Sequence, residues 1–306
     1  MGNSNELSAK IADLKQKRKA IILVHNYQLG EVQDIADFVG DSLELSRKAA
    51  ATDAEVIVFC GVHFMAETAS ILNPDKIVLL PDKNAGCPMA DMITANALRE
   101  KKQEFTDIPV VCYINSSARV KAESDICCTS ANAIEIVNSI DCNKVIFVPD
   151  KYLGHYVSTK SDKEIILWQG YCPTHAKILP EHIIQRKEEY PEAKVVVHPE
   201  CRPEVIALAD AVLSTGGIIR FARESNAEQI IIGTEIGIIH RLKKDNPEKL
   251  FVPLSEQAIC PNMKKITLEK ILWSLEDLSP QVKVAEDIRI MAKKSVDRML
   301  GIGKRE

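Results

Sequence analysis

Long apolar runs are missing from this 306-residue chain: they stop at five to eight residues, where a membrane-spanning helix needs about twenty. No apolar segment precedes the first lysines either, so neither a membrane span nor a signal peptide is expected. A basic tract is missing too, beyond the short Lys15-Gln16-Lys17-Arg18-Lys19 cluster. With 39 Lys+Arg against 43 Asp+Glu and a net charge of −4, nucleic acid is excluded as an expected partner. The cluster reads as the solvated last turn of an N-terminal helix over 6–18, with Leu7, Ile11 and Leu14 on one face. Nine cysteines without a secretory signal point to a reducing compartment, the cytoplasm, with thiols free or bound to metal.

What is present is a dipeptide that occurs three times, as Cys87-Pro88, Cys172-Pro173 and Cys260-Pro261, the cysteines lying 85 and 88 residues apart. Six residues after each stands Ile93, Ile178 or Ile266. Upstream by 45, 42 and 45 residues stand Ser42, Ser130 and Thr215. Seventeen residues before each of those, after an apolar β-branched run, come His25, Tyr113 and His198; Val32, Val120 and Val205 follow at seven residues, and Asp37, Asp125 and Asp210 at twelve. Ordinary strand–helix periodicity does not hold so many classes of residue at nearly fixed offsets, so the chain is an internal triplication. Units over 1–103, 104–190 and 191–266 are expected, with a helical tail over 267–306. Each unit is small, so the three are expected to share a core.

In the first unit, strands are expected over 20–24, 37–40, 56–59 and 77–80, with helices from Glu31, from Ser42 as N-cap, and over 63–71. The second unit repeats the strands at 110–111, 125–128, 145–148 and 165–167, and the third at 195–197, 210–213, 229–232 and 250–252. Twelve strands in three sets of four, each alternating with helices, predict an α/β fold of three αβα units with parallel sheets rather than one eight-stranded barrel. In the tail, Ser279 is expected to cap a last helix with Pro280 at its first position, and Gly301 and Gly303 to end it.

Ligands of open parallel sheets bind beyond the carboxyl ends of the strands. Those ends carry His25, Tyr27, Ser42, Tyr113, Asn115, Ser130, His198, Glu200 and Thr215, and in a threefold arrangement they converge together with the three cysteines. Ser42 and Ser130 at helix N-termini suit a carboxylate, or are simply caps. Ser214 and Thr215 before Gly216-Gly217 suit an anion-binding turn. His25, His175 and His198 suit anion binding or proton transfer near neutral pH. His155, His182 and His240 fall outside the repeat frame, and His63 is undecided.

Three thiolates gathered from distant segments can hold zinc, an iron–sulfur cluster or nothing. Structural zinc takes paired ligands two to four residues apart, and none of the three cysteines has one, although His175 could complete a Cys₃His site. Cysteine followed by proline recurs in ferredoxin ligand loops, which favours a [4Fe-4S] cluster whose fourth iron stays open as a Lewis acid. No C-x₃-C-x₂-C run exists, which disfavours radical chemistry with adenosylmethionine. Cys60, Cys112, Cys127, Cys128, Cys142 and Cys201 read as small buried hydrophobes.

Taken together, His25-Asn26-Tyr27, Gly40-Asp41-Ser42, Gly61-Val62-His63-Phe64-Met65-Ala66-Glu67, Gly86-Cys87-Pro88-Met89-Ala90, Tyr113-Ile114-Asn115, Cys172-Pro173-Thr174-His175, His198-Pro199-Glu200-Cys201 and Ser214-Thr215-Gly216-Gly217 resemble the quinolinate synthase family over residues 20–300. The resemblance implies three αβα domains about a pseudo-threefold axis and a [4Fe-4S] cluster on Cys87, Cys172 and Cys260. It implies condensation of iminoaspartate with dihydroxyacetone phosphate to quinolinate, phosphate and water on the route to NAD, with an aspartate-oxidising enzyme as a functional partner supplying iminoaspartate. It also implies Tyr27 as an acid/base, with Glu200 as a base and His198 beside it. The extra cysteine pair that some longer relatives carry near the third ligand is absent, because Cys260 is followed by Pro261-Asn262-Met263. An iron–sulfur hydro-lyase would share the open iron but need no phosphate pocket. A sensing module would need the cluster and none of the acid/base groups.

Overall fold

Short β-branched runs become strands because they are too short for a helix and are covered on both faces. The computed structural model describes residues 2–302 and contains twelve strands. They are β1 (Ala20–His25), β2 (Phe38–Gly40), β3 (Val56–Cys60), β4 (Ile77–Leu79), β5 (Val110–Tyr113), β6 (Ile126–Cys128), β7 (Lys144–Val148), β8 (Glu164–Leu167), β9 (Lys194–Val197), β10 (Ala211–Val212), β11 (Gln229–Gly233) and β12 (Leu250–Pro253). They form three four-stranded sheets ordered β2-β1-β3-β4, β6-β5-β7-β8 and β10-β9-β11-β12, parallel throughout. The fold is therefore α/β, three parallel sheets interleaved with helices.

The aspartate landmarks acquire a physical role. Asp37 donates its backbone N–H to the carbonyl of Ile22 (3.0 Å), and its carboxylate accepts the N–H of Ile22 (2.8 Å). Asp125 does the same with Val110 (3.1 and 2.8 Å), and Asp210 with Val195 (both 2.8 Å). Each clamp seats the start of the second strand against the first. It also moves the aspartate out of the strand, so the second strands begin one residue later than expected. Register then places His25 beside Gly40, Tyr113 beside Cys128 and Val197 beside Val212.

Each Cys-Pro pair leads into a 3₁₀ turn (Ala90–Met92, His175–Lys177, Met263–Lys265) and then a ten-residue helix (Ala95–Glu104, Pro180–Glu189, Leu268–Asp277). The isoleucines between turn and helix are buried, which is why they recur. One apolar core runs through the first two sheets and takes Val196, Ile230 and Ile232 from one face of the third; Val195, Val197 and Ile231 on its other face form a smaller core.

The tail departs from expectation. Leu278 adopts a left-handed conformation (φ 49°) that ends the preceding helix, and Ser279 caps nothing. The chain instead runs along the free edge of β4. Leu80 donates to the carbonyl of Pro280 (3.1 Å) and Val282 to that of Val78 (2.8 Å), and only then does the last helix, Glu286–Gly301, begin. It packs on helix Ala118–Ala122 and on β6. Gly303 lies outside the described residues. Cys142 is half-buried rather than buried, whereas Cys60, Cys112, Cys127, Cys128 and Cys201 are buried as expected.

Asp125→Ala removes one clamp and should cost about 1–3 kcal/mol, the worth of a hydrogen bond to a charged group. Urea unfolding beside the exposed control Asp141→Ala, expected within about 0.5 kcal/mol of the parent, checks it.

Candidate active site

The carboxyl ends of the three sheets open onto one cavity with about 610 Å³ of empty space, mouth included. Its wall takes His25, Tyr27, Ser42, Tyr113, Asn115, Ser130, His175, His198, Glu200, Thr215 and all three Cys-Pro cysteines. Thirteen of the fourteen residues singled out from the sequence are thus brought together; Ser214 is not.

The two strand-end histidines are held identically. His25 Nδ1 accepts the backbone N–H of Tyr27 (3.2 Å), and His198 Nδ1 accepts that of Glu200 (3.3 Å). This leaves the ring proton on Nε2 in both, and His198 Nε2–H donates to Ser130 Oγ (3.1 Å). Burial drives both pKa values down to about 3, so the rings are neutral donors.

Glu200, 3% exposed, is the hub. Burial pushes its carboxyl up, but His175, then His198 and the Tyr113 hydroxyl, outweigh this and hold it below the usual carboxylate range. Tyr113 donates to Oε1 (2.7 Å), Asn115 Nδ2 reaches the same oxygen at 3.3 Å, and His175 Nδ1 lies 2.7 Å from Oε2. The other nitrogen of His175 is 2.8 Å from Thr234 Oγ1, which in turn is 2.5 Å from the Tyr27 hydroxyl. With the His175 proton on Nδ1, a chain runs from Tyr27 through Thr234 and His175 to Glu200. Burial and then the charge of Glu200 hold the pKa of Tyr27 well above that of an ordinary phenol, so its proton stays on at neutral pH.

The helix caps are distributed differently from expectation. Asp41, not Ser42, caps helix Ser42–Ala51: Asp41 Oδ1 accepts from Leu43 (3.0 Å) and Glu44 (2.9 Å), while Glu44 accepts from Asp41 N–H (2.8 Å). Ser42, relieved of capping, faces the cavity as the first helical residue. Ser130 is no cap either, since helix Ala133–Ser139 begins after Asn132. Ser214 is one: its Oγ accepts from Gly217 N–H (3.1 Å) and lies 3.4 Å from Asp41 Oδ2. A Cβ on Gly216 would stand 2.7 Å from that same oxygen, so glycine is what lets the N-termini of helices Ser42–Ala51 and Thr215–Glu224 approach. Thr215 lines the cavity and accepts from Asn26 Nδ2 (3.1 Å). His63, His155, His182 and His240 do not line it.

The thiols share one local design. Backbone N–H groups of Ala90 and Met89 point at Cys87, that of His175 at Cys172, and those of Met263 and Asn262 at Cys260. Proline, which has no N–H, occupies the position between. Each sulfur therefore sits in a small nest suited to negative charge. Burial nevertheless pushes Cys87 up to about 12, and Cys172 and Cys260 upward too. A tetrahedral zinc ion would hold its sulfurs about 3.8 Å apart. Among the described residues, the one trio with all ligand atoms within 4.8 Å is Cys172, His175 and Glu200, which leaves Cys87 and Cys260 out. The three thiols are too far apart for one ion; His175 Nδ1 lies 3.2 Å from Cys172 Sγ, but 2.7 Å from Glu200, and its other nitrogen faces Thr234, so it completes no Cys₃His site.

Residues missed from the sequence lie at the ends of the third strands. Thr234 and Glu235 follow β11 as Pro149 and Asp150 follow β7, and both carboxyl groups are buried. Carrying the repeat register from the first strand of each unit to the third would have found them.

Three parallel αβα units pooling their strand ends, three thiols and a chain of hydrogen-bonded side chains around one cavity define a triplicated α/β protein with a single shared site. The family described as "NadA: Quinolinate synthetase A protein" matches residues 9–301. The chain is 62% identical over 296 residues to the quinolinate synthase of Dehalococcoides mccartyi (strain CBDB1), covering 97% of this chain and 98% of that one. It is 56% identical over 297 residues to that of Methanosarcina barkeri (strain Fusaro / DSM 804), at 97% and 98% coverage, and 56% identical over 303 residues to that of Desulforudis audaxviator (strain MP104C), at 99% and 100%. The chain belongs to the quinolinate synthase family. No helix among the described residues is long and apolar enough to cross a membrane.

The neutral histidines give stability a pH signature. Each has a folded pKa depressed from 6.5 to about 3, so its contribution is present above pH 6.5 and is lost as pH falls below it. Between pH 6.5 and 5 the loss should reach up to about 2 kcal/mol per histidine. Urea unfolding at both pH values should show a smaller loss for His25→Gln than for the parent; equal losses would mean that His25 is not buried as a neutral ring.

Proposed function

We propose that the chain acts as a quinolinate synthase, condensing iminoaspartate with dihydroxyacetone phosphate to quinolinate, phosphate and water in NAD biosynthesis. The observation that carries this reading is that three backbone-solvated thiols and the donors for a dicarboxylate open onto the same cavity. Iminoaspartate is unstable, so an aspartate-oxidising enzyme is its expected supplier.

Cys87, Cys172 and Cys260 would hold a [4Fe-4S] cluster, which supplies a Lewis-acid iron free of protein ligands. Substrate carboxylates meet the hydroxyls of Ser42 and Ser130, the Nε2–H of His25 and His198, and Asn115, none of which carries a negative charge. The N-terminus of helix Thr215–Glu224, with Thr215 at its mouth, favours the phosphate. Ser214 supports that turn by capping it rather than by touching substrate.

Tyr27 donates its proton to a substrate oxygen. Thr234 and His175 link the phenol to Glu200, and return of a proton from Glu200 to the phenol passes through this link once His175 takes the opposite tautomer, with its proton on Nε2. Tyr113 and Asn115 hold Glu200 in place and keep it ionised until then. The buried, neutral setting of both strand-end histidines makes them hydrogen-bond donors in this scheme rather than carriers of charge.

Anaerobic iron and sulfide assays test the ligand set. Cys87→Ala, Cys172→Ala and Cys260→Ala should each lose cluster retention while Cys142→Ala keeps the parent's iron; full iron in Cys260→Ala, or a colourless parent carrying one zinc, would overturn it. Tyr27→Phe should keep the fold and the iron yet slow quinolinate formation by roughly 10²–10⁴-fold per cluster-loaded molecule, the usual worth of a positioned acid/base group. A near-normal rate would remove Tyr27 from the mechanism.

A further inference from the structure

One part of the cavity wall has no role in the scheme above. Glu235, two residues beyond β11, has no exposed surface. Its Oε1 accepts the backbone N–H of Cys260 (3.1 Å) and its Oε2 that of Gly237 (2.7 Å). Lys264 Nζ lies 2.9 Å from Oε1 and 3.2 Å from Oε2. The same ammonium donates to the backbone carbonyl of Tyr27 at 2.5 Å. A Cβ on Gly237 would stand 2.6 Å from Lys264 Nζ and 2.7 Å from the Tyr27 carbonyl, so the junction has no room for another side chain.

With two amides and an ammonium on its two oxygens, Glu235 has little capacity left for a substrate. That argues against a base or an anion sensor and for a strut. The second unit uses the equivalent residue differently: Asp150, at the same place after β7, turns to its own helix, its Oδ1 accepting the N–H groups of Tyr152 (2.8 Å) and Leu153 (2.9 Å). The first unit has Val62 there. A lysine four residues past the cysteine occurs only after Cys260, the matching positions being Asp91 and Ala176. The third unit alone therefore extends its anchor to another unit, and it does so onto the residue that bears the phenol.

We propose that Glu235 and Lys264 are positioning residues that lock the Cys260 loop to Tyr27, so that the third thiol and the phenol are set as one body. This rests on reading Cys260 as a cluster ligand and Tyr27 as the acid. Outer partners of metal ligands typically govern affinity or activity by about 10–100-fold. Removing one member of a buried pair also leaves the other uncompensated.

The test uses anaerobically loaded enzyme and follows iron transfer to a ferrous chelator, kcat and KM, and unfolding temperature. Glu235→Gln should release iron at least about 10-fold faster than the parent. Lys264→Met should lower kcat about 10-fold with KM within about twofold, because it frees the Tyr27 backbone without touching the substrate donors. Lys264→Arg, which keeps the charge opposite Glu235, should restore most of the iron retention. The double variant Glu235→Gln/Lys264→Met should do less harm than the product of the two single effects, as coupled partners do. Iron release and kcat within about twofold of the parent in both single variants would overturn the strut. So would a lower unfolding temperature with retention and kcat unchanged, since that is what a merely structural pair produces. A parent that holds no iron overturns the functional reading itself, and this inference with it, which separates the two failures.

Discussion

A carboxylate shut away from water stays ionised only if its surroundings supply the donors that water would have supplied. Glu200 is that carboxylate, and its donors are borrowed: Tyr113, Asn115 and His175 come from the second unit, and Glu200 itself from the third. The other seams are built in the same polar manner. Asn26 reaches Thr215 between the first and third units. Between the first and second, Glu67 accepts the N–H of Ala118 (2.9 Å), and the fully buried Lys121 donates to the carbonyls of Ser116 (2.7 Å) and Phe64 (3.3 Å). Each unit is too small to bury these groups alone. What joins the units is therefore what makes the site.

This dependence explains why His25 and His198 are held neutral and Tyr27 and Tyr113 protonated. Glu200 is the negative charge that faces the two strand-end histidines and the two tyrosines, and these are neutral donors: two rings kept neutral by burial, two phenols kept protonated by burial and by Glu200 itself. Such an environment suits an anionic substrate and a proton passed over short distances. The helix N-termini aimed at the same space add to that preference without adding a side-chain charge.

Much of this is legible in the sequence, because a triplication supplies its own controls. His25, Tyr113 and His198 recur at one register position, so their common place at strand ends followed from the pattern, as did the three thiols. What the pattern could not say is which oxygen turns toward a helix and which toward the cavity. Ser42 and Asp41 are neighbours with similar capping ability, and the choice fell to Asp41 because Glu44 completes the reciprocal bond. Ser214 went the opposite way, turning inward on its own helix. Thr234 and Glu235 escaped notice because their counterparts are Pro149 with Asp150 and Gly61 with Val62, so no shared residue type marks the position. Ser279-Pro280 was misread because local capping rules do not know that β4 has a free edge nearby.

That edge has a bearing on how the molecule keeps to itself. An unpaired parallel strand presents a row of amides and carbonyls that any extended segment can complete, including one from another copy of the same chain. By laying residues 280–282 antiparallel along Leu79, the tail occupies those positions with its own backbone. The segment contributes nothing to the cavity. Its work is to leave the first sheet with no vacancy for a stranger's strand on that side.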